Sequence, residues 1–316
     1  MKLQTQLICC ALQDIIVPVT ESRKTGHLLT EKINPRTLHL DKCSPLEVVE
    51  LIIEEDRVIV DAIKKEKDNI AKAVEHIVDN LKKGGRLFFI GAGTSGRLGV
   101  IEAAECPPTF GTDPELIQGF IAGGKEAVWQ SIEGAEDSTI EARKFLKDAN
   151  LCKEDVVVGI AASASTPFVQ SGLEYANKTA GGSVLITCNL VESKIADVTI
   201  ELLVGPEVVV GSTRMKAGTA TKMVLNMITT ASMVQLGKTF GNLMVDVRPK
   251  SAKLRDRARR IVMHIAEVSE DKAAELLQLT DWDVKASIVM EKKKLSFEES
   301  KILLSKHNGF LHDALK

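Results

Sequence analysis

Aromatic side chains are scarce, at 4% of the chain, and basic residues do not outnumber acidic ones: 41 Lys and Arg stand against 43 Asp and Glu. A nucleic-acid surface draws on stacking rings and a positive field, so neither ingredient is present. The net charge of −2 gives no attraction to an anionic membrane either. No apolar run approaches the roughly 20 residues that span a bilayer. The six cysteines (Cys9, Cys10, Cys43, Cys106, Cys152 and Cys188) form no Cys-x-x-Cys pair, and the six histidines form no His-Glu-x-x-His. That excludes the common zinc patterns and a disulfide framework, and suits reduced thiols. The N-terminal stretch Leu7–Leu12 is apolar, but Gln4, Gln6, Gln13 and Asp14 surround it and one Lys precedes it, which is not a secretory signal. The expectation is a soluble cytoplasmic protein with no nucleic-acid or membrane partner.

What is present is a chain of 316 residues, 44% hydrophobic and 27% charged, long enough for one large core or two modest ones. Residues 1–28 show no clear period and read as a variable leader. Thr30-Glu31-Lys32-Ile33-Asn34-Pro35 is extended and bounded by proline. Ser44-Pro45-Leu46-Glu47 combines a cap, a first-turn proline and a capping-box glutamate, and starts a helix running through Ile63. Ile70, Ala73, Val74, Ile77, Val78 and Leu81 form one helical stripe, closed by Gly84-Gly85.

Strands and helices then alternate. Leu87–Ile90 reads as a strand, followed by a helix through Ala104 that Pro107-Pro108 stops, leaving Glu105 and Cys106 at its end. Leu116–Ala122 is a second strand, with helices near Glu126–Ile132 and over Ser138–Leu146. Val156–Ala161 is a third strand with a helix after it through Tyr175; Ser183–Cys188 and Val198–Val204 follow. This alternation predicts an α/β fold with a doubly wound parallel sheet. A long helix follows residue 216, and residues 251–316 look all-helical and amphipathic.

The stretch Gly91-Ala92-Gly93-Thr94-Ser95-Gly96-Arg97 sits where the first strand meets its helix. Backbone N–H groups and the positive helix end make an anion pocket there, with Gly93, Thr94 and Ser95 at the tip. The glycine spacing matches a dinucleotide fingerprint, but the acid that should follow the second strand is missing: Asp113 and Glu115 precede it. A small anion such as a sugar phosphate fits better. Ser163-Ala164-Ser165-Thr166 after the third strand is a second hydroxyl loop, able to face the first across the carboxyl edge of the sheet. Ser212, Arg214 and Lys216 form a third, basic loop at the start of the long helix. Glu105 near a helix end opposes the dipole, and Glu136 is the acid left over beside the capping residues Asp137 and Ser138. Each suits either a solvated surface or proton transfer.

Together, Gly91–Arg97, Glu105-Cys106-Pro107-Pro108, Glu133–Ser138, Gly211–Lys222, Thr30–Pro35 and Gly241–Val247 resemble the N-acetylmuramic acid 6-phosphate etherases of the sugar-isomerase (SIS) superfamily. The resemblance covers roughly residues 29–316. It implies a flavodoxin-like SIS sheet over 29–250, a small helical C-terminal region over 251–316, a homodimer, and no metal or organic cofactor. It implies cleavage of the D-lactyl ether of N-acetylmuramic acid 6-phosphate to N-acetylglucosamine 6-phosphate and D-lactate, in cell-wall sugar recycling. By position, Glu105 matches the family's acid that assists lactate departure and Glu136 its base at C2. Burial or a neighbour would raise one of the two carboxyls. Thr94, Ser95, Ser163 and Ser165 match ligand-holding hydroxyls, and Thr166 beside them is a further substrate-binding candidate. Two positions depart from the family's usual Ala-Ser-Gly-Arg-Thr-Pro: Ala164 replaces the glycine and Ser165 the arginine. The lost guanidinium weakens anion binding, and a Cβ at 164 strains a left-handed turn. Other readings remain open: a non-catalytic sugar-phosphate regulator resembling the glucokinase regulatory protein, an aldose–ketose isomerase, and an NAD-dependent oxidoreductase.

Overall fold

The computed structural model describes residues 26–316 apart from Arg248 and Lys250, so most of the expected leader, with Cys9 and Cys10, lies outside the described residues. The Ser44 capping box forms: Glu47 Oε2 accepts from the Ser44 N–H at 2.6 Å, and Ser44 Oγ accepts from the Glu47 N–H at 3.4 Å. The helix expected from there is two, α1 (Pro45–Asp56) and α2 (Val58–Lys65), with Arg57 between them. In α3 (Lys67–Leu81) the predicted apolar stripe is buried.

Five parallel strands follow: β1 (Leu87–Gly91), β2 (Ile117–Ile121), β3 (Val156–Ile160), β4 (Gly182–Thr187) and β5 (Val198–Glu201). Their order is β2-β1-β3-β4-β5, the flavodoxin-like doubly wound arrangement. β1, β3 and β4 are buried along their whole length, which is why they read as unbroken apolar runs. Alternate residues serve opposite faces. Leu87, Phe89, Val156 and Val158 pack with α3, α4 (Gly93–Phe110) and α7 (Lys216–Gln235). Phe88, Ile90, Val157 and Leu185 pack with α5 (Glu141–Asp148) and α6 (Pro167–Thr179).

Two local expectations fail. Pro107-Pro108 does not stop α4, which continues to Phe110. The prolines remove the amide bonds to the Ala103 and Ala104 carbonyls. Yet Cys106 and Phe110, on either side of the pair, are buried in the core, and that packing carries the helix through. Gly111, at φ 63°, ends it with its N–H on the Pro107 carbonyl at 3.0 Å. Over Glu126–Ile132 there is only one 3₁₀ turn, Lys125–Val128.

A hairpin of β6 (Thr239–Phe240) and β7 (Leu243–Met244) leads to five helices: α8 (Ala252–Ala266), α9 (Glu270–Leu279), α10 (Val284–Lys293), α11 (Phe297–Lys306) and α12 (Leu311–Ala314). They gather an apolar cluster of their own around Val262, Leu277 and Ile288. Ser251, Ser269, Asp283 and Ser296 cap α8 to α11 through their side chains.

Candidate active site

The strand order reverses between β1 and β3, and ligands of such sheets bind in the crevice at the carboxyl ends of those two strands. A cavity of about 350 Å³ opens at that point. Ala92 and Ser95 line it from the β1 side, and Ser163, Ser165 and Thr166 from the β3 side. Two helices, α4 and α6, begin at its wall, and neither has a side-chain cap on its first N–H groups. The contrast with the four serine- or aspartate-capped C-terminal helices is physical: the amides of α4 and α6 are available to an outside anion. The Ser163 hydroxyl accepts from the Ser165 N–H at 3.2 Å and from the Ser165 hydroxyl at 3.0 Å. Ala164 between them sits at φ 62°, the left-handed conformation foreseen for this position.

A further wall comes from far away in sequence. Leu28, Thr30 and Glu31 line the cavity. Asn189, buried after β4, holds them there: its Oδ1 accepts from the Leu29 N–H at 2.5 Å and from the Thr30 N–H at 3.4 Å. Its Nδ2 donates to Thr30 Oγ1 at 3.0 Å and to the Ala162 carbonyl at 2.7 Å. Asn34 donates to the Pro206 carbonyl and Thr37 to that of Val208, so the segment lies as a strap across the cavity edge.

The third loop behaves differently from expectation. Thr213 and Gly211 line the cavity, with Ser212 between them, but Arg214 is exposed outside it. Lys216 is buried, with its Nζ 2.5 Å from Glu55 Oε2, and Glu55 also pairs with Arg36. Burial pushes the Glu55 carboxyl up, but Lys216 and its other donors outweigh this and hold it below the ordinary range. Glu207, also buried, accepts from the Lys216 and Ala217 N–H groups at 3.0 Å each. The anion that rationalises a basic residue at the start of α7 is thus internal: the chain's own Glu207 and Glu55. Thr94 lines neither this cavity nor the adjoining one; its methyl faces Gly218 of α7. Gly93 lines the adjoining cavity, of about 230 Å³.

Glu136 lines both cavities. Glu105 lines neither: it is exposed on α4, twelve residues past Gly93, about 18 Å of helix rise away. Both glutamates are exposed in the single chain, so the burial invoked for one of them is not supplied by this chain alone. The buried acid on α4 is Glu102, one turn before Glu105, which accepts from Asn226 Nδ2 at 2.5 Å and from the Thr229 hydroxyl. Burial pushes its carboxyl up, against those hydrogen bonds and Lys222. Asn189 and Glu102 carried no local signal in the sequence, since each is defined by partners more than a hundred residues away. Among the described residues, no group of three or more His, Cys, Asp or Glu side chains is placed to hold a metal ion.

The fold and this crevice define the class: a doubly wound α/β protein with a polar crevice between two uncapped helix ends, the setting that suits a small anionic ligand. Residues 69–177 match the family described as the glucokinase regulatory protein N-terminal SIS domain. Over nearly the full length the chain is similar to curated relatives named N-acetylmuramic acid 6-phosphate etherase. It is 48% identical to that of Clostridium beijerinckii over 298 residues, covering 94% of this chain and 98% of the relative. It is 48% identical to that of Clostridioides difficile (92% and 96% covered) and 48% to that of Trichodesmium erythraeum (93% and 96%). The chain belongs to the N-acetylmuramic acid 6-phosphate etherase family.

Proposed function

We propose that this chain cleaves the D-lactyl ether of N-acetylmuramic acid 6-phosphate, releasing D-lactate and N-acetylglucosamine 6-phosphate, in the cytoplasm as a step of cell-wall sugar recycling. The observation that carries the mechanism is the position of Glu136, on the wall between two adjoining polar cavities. The 6-phosphate lies against Ser95, Ser163, Ser165 and the first amides of α4 and α6. In the open-chain sugar the C1 aldehyde acidifies the C2 proton. Glu136 takes that proton, the C2–C3 double bond forms, and the C3–O bond breaks. A carboxylic acid gives its proton to the departing lactate oxygen, and water then adds across the double bond.

Glu105 serves as that acid from a second copy. It is too far along α4 to meet Glu136 within one chain, and a homodimer that sets α4 against the neighbouring crevice brings Glu105 of the partner subunit to the reacting bond and buries it. The test is direct. Purified protein incubated with N-acetylmuramic acid 6-phosphate is expected to release D-lactate, and Glu136→Gln to lose release while still binding the sugar phosphate. Binding without release by the unaltered protein would refute the enzyme and favour a sugar-phosphate regulator.

A further inference from the structure

The two cavities share only Ala92 and Glu136, and they differ in charge. Among the described residues the larger is lined by hydroxyls, Glu31, Glu136 and Asp137, with no lysine or arginine. The smaller is lined by Gly93, Ile132, Glu133 and one cation, Arg97. Arg97 Nε donates to the Val128 carbonyl at 3.0 Å and its Nη2 to the Gln130 carbonyl at 3.1 Å. These two bonds fix the plane of the guanidinium but spend only two of its five N–H donors. Among the described residues Arg97 belongs to no ion pair, unlike Arg36, Arg86 and Arg143.

The substrate of the proposed reaction carries two anions, a phosphate on C6 and a carboxylate at the end of the lactyl arm on C3. Uncapped helix ends and hydroxyls suit the phosphate. A planar carboxylate is matched by a guanidinium held edge-on. We infer that the smaller cavity receives the lactyl arm and that Arg97 binds its carboxylate, which makes Arg97 the residue that separates substrate from the lactate-free product. This rests on the proposed etherase activity and adds a specificity site to it. The shared wall then has a chemical meaning: Glu136 stands between the phosphate end and the ether arm, beside C2. Glu133 in the same cavity repels an anionic arm, so the preference depends on the guanidinium offsetting it.

The experiment pairs a substrate change with a residue change. N-acetylmuramic acid 6-phosphate and its lactyl carboxamide, which is neutral, are compared on the unaltered protein and on Arg97→Met. The unaltered protein is expected to favour the acid over the amide by about ten- to hundredfold in kcat/KM, the scale of one charged hydrogen bond. Arg97→Met is expected to abolish that preference, while N-acetylglucosamine 6-phosphate still inhibits within about twofold of its original strength. Lys32→Met, a cation in the next groove along, should leave the preference intact. An unchanged acid-over-amide preference in Arg97→Met overturns the assignment. So does a parallel loss of product binding, which would make Arg97 only a brace for residues 128–130. Should Arg97→Met fail to fold, Arg97→Lys keeps the charge without the fork and should show an intermediate preference; an undiminished one counts against the assignment. Should no lactate appear with the unaltered protein, the activity is refuted, and the same preference is then read by calorimetric binding of the acid and the amide.

Discussion

Replacing Asn189 by alanine tests whether the strap of residues 28–37 is part of the binding site or merely lies near it. The loss can be worked out bond by bond. The Ala162 carbonyl keeps two donors, the Cys188 N–H at 3.0 Å and the Thr187 hydroxyl at 3.1 Å, so it is not orphaned. The Leu29 and Thr30 N–H groups lose the acceptor described for them, and Thr30 Oγ1 loses its donor. Two orphaned donors and one weakened hydroxyl amount to roughly 2–4 kcal/mol. The strap can lower that cost by lifting its 28–31 end into water, since Asn34, Thr37 and Arg36 still hold the other end. Lifting removes Thr30 and Glu31 from the cavity wall, and the cost then appears in substrate binding. Urea unfolding and lactate-release kinetics measured on the same preparation should together show a lower midpoint and a KM raised several-fold. Asn189→Asp should do no better than alanine: it keeps the acceptor but sets a carboxylate against the Ala162 carbonyl. An unfolding midpoint and a KM both equal to those of the unaltered protein would refute the strap's role.

Three further outcomes follow from the same geometry. If Glu105 and Glu136 act across a subunit interface, separately inactive Glu105→Gln and Glu136→Gln proteins, unfolded and refolded together, should recover about a quarter of the activity, because half the dimers are mixed and each mixed dimer has one intact site; no recovery places both groups in one chain. Asp155, fully buried, accepts from the Arg86 guanidinium at 2.7 Å and from the Arg86 and Cys152 N–H groups. Burial pushes its carboxyl up, but these donors outweigh that and hold it below the ordinary range. Asp155→Asn should therefore cost about 3 kcal/mol at neutral pH. A depressed carboxyl stabilises the fold above its unfolded value near 4 and ceases to as pH falls through its folded value, so the two proteins should converge in stability only in acid. Cys106 and Cys188 are buried, which pushes their thiols up to about 12. The Glu154 backbone pulls the Cys152 thiol down, but partial burial and Asp155 outweigh it, so this thiol is also raised; Cys152 is nevertheless exposed. Iodoacetamide at neutral pH, read by peptide mass mapping, should label Cys152 in the folded protein and Cys106 and Cys188 only after denaturation.

The elements that could be read from the sequence are those decided by nearby residues. Ser44 and Glu47 are three apart, the α3 stripe repeats within one helix, and β1, β3 and β4 are runs of apolar residues. The crevice was legible for the same reason, because strand, glycine turn and helix are contiguous at Gly91–Arg97 and again at Ile160–Pro167. Misreadings came where distant packing decides. Pro107-Pro108 is a local stop signal overruled by the burial of Cys106 and Phe110. Lys216 looked like a ligand-binding cation because Glu55, its partner, lies 161 residues earlier. The distance of Glu105 from the crevice is set by the twelve-residue step along α4 from Gly93 to Glu105.

Three helix beginnings in this chain carry the small, hydroxyl-rich sequences that attract phosphate, yet Glu207 has taken the one at α7. A carboxylate built into the chain is present at a local concentration that no change in cellular metabolites alters, and it cannot be competed away by a millimolar anion. The start of α7 is therefore satisfied from within the chain, and on the proposed reading only the starts of α4 and α6 are left for the sugar phosphate. Phosphate titrations should accordingly saturate at one site per chain rather than two. Glu207→Ala would do more than loosen a helix: it would give the protein a second, unprogrammed appetite for anions.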